Sequence, residues 1–269
     1  MSQLFSRVAE VAITPTLGGI AKTFSYPPFR IDFETEFDQF NSTKLRLYNP
    51  NQDTINSIES KTIGGVKRYP DIFVTAGYRD LSGICCSGKI YKYKVSNQST
   101  DRILELECTE QAGVWSNTSI YKSYSKMTAE TIIQQILAST DIKVGKIELS
   151  KNPTIRFTAT SLQKSITDLC KLTESQFFFR DGEIYIQPLE STPVPSQILL
   201  DYTSGLIGKP EKIGDKKWKI QSLFRPEYRR NLVLYVKGGD LDSQIKIVKG
   251  KNKFSSHAQA NADFEGVEV

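Results

Sequence analysis

Ser161 and Lys164 stand in the S-x-x-K spacing of serine–lysine acyl enzymes, with the serine at a helix start, where that nucleophile is wanted. That chemistry also needs a Ser-Asp-Asn and a Lys-Thr-Gly, and neither occurs, so Ser161 reads as a helix N-cap. Asp32, Glu34 and Glu36 recur every second residue and share one face of a strand. Paired carboxylates can hydrolyse glycosides, but one of them must sit in an apolar pocket. These three read as solvated or interfacial, and a row of like charge also discourages wrong edge pairing. The single histidine, His257, lies in a polar stretch without apolar periodicity. It supports neither a catalytic triad nor a His-rich metal site.

Two further patterns bear on nucleic acids. Gly205-Leu-Ile-Gly208 has the G-x-x-G form of the loop that clamps nucleotide backbones in KH domains. A KH loop joins helices, whereas here strands flank the motif and Pro210 follows, so it reads as a turn with positive φ at a glycine. It is neither a dinucleotide fingerprint nor a P-loop. Tyr91-Lys92-Tyr93-Lys94 interleaves aromatics with cations, as a base-stacking sheet face would. Strict alternation puts both tyrosines on one face and both lysines on the other, which is ordinary amphipathic packing. No catalytic, cofactor-binding or metal-ligating residue is assigned, and no cofactor is expected.

Charge and cysteine content narrow the classes. The chain has 35 basic and 30 acidic residues, interspersed, for a net charge of +5. The nearest basic clusters, Lys212–Lys219 and Lys246–Lys253, read as solvated surface lysines. Cys85, Cys86, Cys108 and Cys170 contain no C-x-x-C, and Cys85 and Cys86 point to opposite faces of a strand. Reduced thiols and assembly in a cytosol are expected. The N-terminus does not read as a signal peptide, and no run of 18 apolar residues occurs, so no membrane anchor is expected. The sequons at Asn41, Asn97 and Asn117 carry little without a secretory route.

The elements that would position these residues are mostly strands. Residues 1–28, punctuated by Pro15, Gly18-Gly19 and Pro27-Pro28, read as an arm or first strand. Phe29, Ile31, Phe33, Thr35 and Phe37 alternate with charged residues in a half-buried strand. Lys44–Tyr48 follows suit, and Asp53 reads as the cap of a short helix, Thr54–Ser60. Strands are expected at Asp71–Gly77, Gly83–Val95 and Arg102–Thr109. After Gly113 the texture changes. Thr128 and Ser161 cap helices Ala129–Ser139 and Leu162–Thr173, strands read at Lys143–Leu149 and Thr154–Thr158, and Phe177–Gln187 is a hairpin across Asp181-Gly182. This makes two βαβ-like pieces. Thr192–Pro195 is a linker. Gln197–Tyr202, Trp218–Leu223 and Asn231–Lys237 read as strands, and the tail from Gly238 as a short strand, Ile245–Val248, and polar residues. The fold class is α+β and β-rich: antiparallel, barrel-like β-domains with a small helix-containing middle domain. The division is 1–28 (arm or first strand), 29–113 (β-domain with one short helix), 114–192 (α+β middle domain) and 193–269 (C-terminal β-segment and tail).

Three stretches resemble the tail-hub, or baseplate-hub, subunits of tailed phages: Phe29–Ile58, Asp71–Lys89 with Ala76-Gly77-Tyr78 as its clearest match, and Ser204–Pro226, which opens SGLIGKP. The resemblance covers most of residues 25–235. Lys251–Asp263 departs from the family's ending, while Phe264–Val269 resembles its last strand. The resemblance implies a non-enzymatic virion structural protein, assembled in the host cytoplasm into the tail as a homotrimeric ring. It implies contacts with the tail tube protein, the central spike protein, the tape-measure protein and other baseplate proteins, and transient contact with DNA in the channel. Two other readings stand beside it. One is a tail-associated cell-wall hydrolase using Asp32, Glu34 or Ser161. The other is a nucleic-acid-binding domain using Gly205–Gly208 and the lysine clusters.

Overall fold

The computed structural model describes residues 6–16, 19–63, 66–111, 114–180 and 182–269. Gly18, Gly113 and Asp181 lie outside the described residues. Residues 7–26 form two strands, β1 (Arg7–Thr14) and β2 (Lys22–Tyr26). The alternation from Phe29 becomes β3 (Ile31–Phe37), in which Ile31, Phe33, Thr35 and Phe37 are buried. β4 (Ser42–Tyr48) follows antiparallel to it. The short helix α1 is Gln52–Ser57, with Ile55 and Ile58 buried beneath it. Its cap is Asn51, not Asp53: the Asn51 side chain accepts from the Thr54 N–H at 2.8 Å. Asn51 has the extended backbone a cap needs, so the helix starts two residues earlier than its charge pattern suggested.

A small hairpin of β5 (Lys61–Ile63) and β6 (Val66–Arg68) precedes three long strands, β7 (Asp71–Tyr78), β8 (Leu81–Gln98) and β9 (Asp101–Thr109). Tight pairing at the β7–β8 turn depends on Gly77. Its φ is 155°, and a Cβ there would collide with the backbone carbonyl of Leu81.

The helical part comprises α2 (Val114–Asn117), β10 (Ser119–Thr128), α3 (Ala129–Ala138), β11 (Lys143–Ile147), β12 (Thr154–Ser161), α4 (Leu162–Leu172), β13 (Ser175–Arg180) and β14 (Glu183–Pro188). Thr128 and Ser161 cap α3 and α4 as expected, and Ile132, Ile133, Ile136, Leu162, Ile166 and Leu169 are fully buried. The strands flanking each helix are not parallel neighbours, however. β10 pairs antiparallel with β12, while β11 runs parallel to β14 beside β13. β10 gave no sequence signal because only Tyr124 along it is buried.

The last third holds β15 (Leu199–Leu200), β16 (Leu206–Gly214), β17 (Lys217–Leu223), β18 (Val233–Gly238), β19 (Leu241–Ser255) and β20 (Asn261–Glu268). Two expectations are corrected here. The expected strand Gln197–Tyr202 shrinks to two residues. The polar tail is instead two long strands, with β19 pairing β18, β20 and β3. Its inward positions, Gly250, Asn252 and Phe254, alternate with outward lysines, so high polarity hid a half-buried strand. Gly205 and Gly208 do have positive φ, 117° and 65°, but Gly208 lies inside β16, at a bulge that also accommodates Pro210.

Thirteen strands join one sheet, whose main path runs β16-β17-β20-β19-β3-β4-β9-β8-β7-β1-β2. Three apolar clusters fill the molecule. One lies under β1–β4 and β7–β9 and is closed by Phe224, Phe254 and Ala260. One surrounds α3 and α4. One lies under β17–β20 and includes Phe37 from β3. The β3–β4 turn joins all three regions. Phe40 lies 5.6 Å from Trp115 and 5.7 Å from Phe177, Asn41 donates to Glu110, and Asp38 pairs with Arg230.

Candidate interaction surface

The face of the main sheet turned away from the core carries charge in stripes of one sign per strand. On β3, inward Ile31, Phe33, Thr35 and Phe37 force Asp32, Glu34 and Glu36 outward. The adjoining β19 presents Lys249, Lys251 and Lys253, and β4 on the other side presents Lys44 and Arg46. Beyond β4, β9 presents Glu105 and Glu107. β8 then presents Lys92 and Lys94, directly opposite Glu107 and Glu105. Beyond β19, β20 presents Asp263 and Glu265, and Lys219 of β17 is opposite Glu265. Sign therefore alternates across seven consecutive strands.

The stripes touch. Lys251 reaches Glu36 at 2.6 Å and Glu34 at 3.2 Å, and Lys253 reaches Glu34 at 3.5 Å. Arg46 binds Glu105 at 2.9 Å, Lys92 binds Glu107 at 2.8 Å, and Lys249 binds Glu265 at 3.1 Å. Burial pushes the Glu34 carboxyl up, but hydrogen bonding and charge from Lys251 and then Lys253 outweigh it, and the net shift is downward. Glu107 is also lowered, chiefly by its hydrogen bond from Lys92. Both stay ionised well into acid, the opposite of what a general acid needs.

Asp32 has a different partner. Its Oδ1 accepts from the Ser255 hydroxyl at 2.8 Å and the Ser256 N–H at 3.1 Å, so it fastens the β19–β20 turn. Arg7 reinforces the turn by donating to the Ser255 and Ala258 carbonyls. His257 in the same turn lies edge-on to Tyr26, with centroids 6.3 Å apart.

Other candidate residues are not brought together. The Ser161 hydroxyl accepts from the Lys164 N–H at 3.4 Å, a capping contact. Tyr91 and Tyr93 do not share a face. A bulge at Tyr91 breaks the alternation, and its hydroxyl binds Glu107 at 3.0 Å, on the lysine side. Burial raises the Tyr91 phenol to about 12, with Glu107 adding to the shift. Cys86, Cys108 and Cys170 are buried free thiols; desolvation pushes Cys86 up to about 11 and Cys170 to about 12. Lys246 is held apart from its cluster. It donates to the Ser191 carbonyl at 3.1 Å, and burial lowers its ammonium. Lys246 is the departure; Lys249, Lys251 and Lys253 are surface lysines, as expected, and are also paired with acids across strands. The signal was present: lysines at 249, 251 and 253 have the same two-residue period as the acids at 32, 34 and 36.

Among the described residues, no group of three His, Cys, Asp or Glu could hold a metal, and no helix is long and apolar enough to cross a membrane. A cavity of about 40 Å³ lies between Cys85, Glu110, Arg180, Tyr228, Arg230 and Asn252, and a wider open cleft of about 520 Å³ runs along the charged face between Glu34, Arg46, Glu105 and Lys253.

No family model matches the chain, and no curated protein matches it in sequence. Solved structures do match. A tail protein from Neisseria meningitidis MC58 is 12% identical, with 97% of this chain and 96% of that one covered and a TM-score of 0.64. The 43 kDa tail protein of prophage MuSo2 from Shewanella oneidensis is 11% identical, with 97% and 98% covered and a TM-score of 0.66. The E. coli c3393 protein is a component of the type VI secretion system with structural similarity to the T4 tail proteins gp27 and gp5. It is 12% identical, with 89% of this chain and 73% of that one covered and a TM-score of 0.63. The chain has the β-rich fold of phage tail proteins over nearly its whole length.

Proposed function

We propose that the chain is a structural hub subunit of a phage tail tip, without enzymatic activity. In this reading it forms a homotrimeric ring that joins the tail tube to the central spike and surrounds the channel for DNA and the tape-measure protein. Its place is the virion tail, after assembly in the host cytoplasm. The observation that carries the reading is end-to-end coverage of two tail proteins, the chain and each neighbour matching over 96% or more of their lengths. The similarity of the type VI component to the T4 tail proteins points the same way. The physical case is that a large sheet with outward charge and inward apolar residues works by presenting surfaces. Every carboxylate or hydroxyl considered for catalysis is already engaged, Ser161 in capping, Asp32 in a turn and Glu34 in ion pairs.

The test is the solution mass by light scattering, alone and mixed with candidate tube and spike proteins. A mass near three times 30.3 kDa, or a stable complex with either partner, supports the hub. A monomer that engages neither partner overturns it. Cell-wall clearing abolished by Asp32→Asn, Glu34→Gln or Ser161→Ala would establish the hydrolase instead.

A further inference from the structure

We propose that the acidic strands β3 and β9 mask the cationic strands beside them from double-stranded DNA. The inference deepens the tail reading, in which DNA passes the protein. It rests on the alternating register of the sheet. Lys44 and Arg46 of β4 lie between Glu34 and Asp32 on one side and Glu107 and Glu105 on the other. Lys92 and Lys94 of β8 are opposite the same two glutamates, and Lys251 and Lys253 of β19 are paired to β3. Six cations thus stand in three rows on one face, enough to track a phosphate backbone.

Neighbouring strands are about 4.8 Å apart, so stripes of like sign repeat every ~10 Å with the opposite sign between them. The field of such stripes cancels within roughly one strand spacing, less than the Debye length of about 8 Å at physiological salt. An approaching duplex therefore meets an almost neutral surface. To bind a phosphate, Arg46, Lys92, Lys251 or Lys253 must first leave its carboxylate, while Lys44 and Lys94 are screened only by the acids opposite them in the register. The face is wettable and charged yet does not retain a polyanion.

The experiment measures duplex DNA binding by fluorescence anisotropy between 50 and 200 mM salt. The variant carries Glu34→Gln, Glu36→Gln, Glu105→Gln and Glu107→Gln, which adds four to the net charge of +5. Six phosphate contacts give a log–log salt slope of about −5, an affinity loss of about 10³-fold over that range. The variant is expected to bind with that slope and wild type to bind at least 30-fold more weakly at 50 mM. Adding Lys44→Gln, Arg46→Gln, Lys92→Gln, Lys94→Gln, Lys251→Gln and Lys253→Gln to the variant should remove the gain. If the fourfold variant does not fold, Glu105→Gln with Glu107→Gln is read alone, with about two-thirds of the slope. The proposal is overturned if a folded variant binds no tighter than wild type, or if the gain survives loss of the lysines. A monomeric mass would sink the ring reading and leave this result standing, and the reverse also holds.

Discussion

Asp32→Ala should destabilise the protein by about 1–3 kcal/mol, because this carboxylate holds a turn and is not spare surface charge. Asp32 Oδ1 accepts from Ser255 Oγ at 2.8 Å and Ser256 N at 3.1 Å, and Ser256 is 2% exposed. The Ser256 N–H also donates to the Ile31 carbonyl at 3.1 Å, so removing the carboxylate takes one of its two acceptors and costs about 0.5–1.5 kcal/mol. The hydroxyl contact adds up to about 1.5 kcal/mol, as a hydrogen bond to a charged group on a half-exposed residue. The damage reaches the core, because the turn carries Phe254 and Ala260 into the first apolar cluster and Ser256 Oγ accepts from the Ile31 N–H at 3.2 Å. Asp32→Asn keeps an acceptor oxygen and should cost about 1 kcal/mol. Urea denaturation of wild type, both variants, Ser255→Ala and the Asp32→Ala/Ser255→Ala double variant reads the effect. A coupling of about 0.5–2 kcal/mol between Asp32 and Ser255 is expected. Asp32→Ala within 0.5 kcal/mol of wild type, or strict additivity in the cycle, would refute the reasoning.

Gly77→Ala must push Cβ into the Leu81 carbonyl, so it should lower Tm by several degrees or prevent soluble folding, whereas Gly214→Ala, with ordinary contacts from 3.6 Å and no positive φ, should do far less; thermal melts compare the two. The folded Glu34 carboxyl is lowered, so its pairing with Lys251 and Lys253 adds stability above the unfolded carboxyl range and loses it as pH falls through the folded value. The stability gap between wild type and Glu34→Gln should therefore shrink toward acid, and a gap that widens there contradicts the pairing. At pH 8, Cys86, Cys108 and Cys170 should resist a thiol reagent until the chain is unfolded, since burial raises all three thiols. The middle domain is proposed to fold as a unit bounded near residue 192. Limited proteolysis should cut first in Thr192–Gln197, where Val194 is 90% exposed; first cuts inside α4 would argue against it.

Helices α3 and α4 were legible because capping and a 3.6-residue apolar period act within a dozen residues. Their caps at Thr128 and Ser161 are where the sequence places them. β3 was legible for a similar reason: burial on one face imposes a period of two on neighbouring residues. β10 and β16 were not. One lies with most of its side chains in water, and the other is an edge strand broken by bulges, so neither carries a clean period.

What the sequence by itself determined is local: the helices and the cleanly alternating strands, the caps of α3 and α4, a positive φ at a glycine of Gly205–Gly208, and the sign of each charged row. Whether a row of lysines floats in solvent or faces a row of acids depends on strand order. Lys251 and Glu36 are 215 residues apart and become neighbours only when β19 inserts between β20 and β3. A one-residue bulge was enough to carry Tyr91 across to the lysine side. Long-range pairing and register are set by how the three apolar clusters close around one another, which is a property of the whole chain. The acids proposed as catalysts on their own strand were therefore recognisable as ion-pair partners only in the folded sheet.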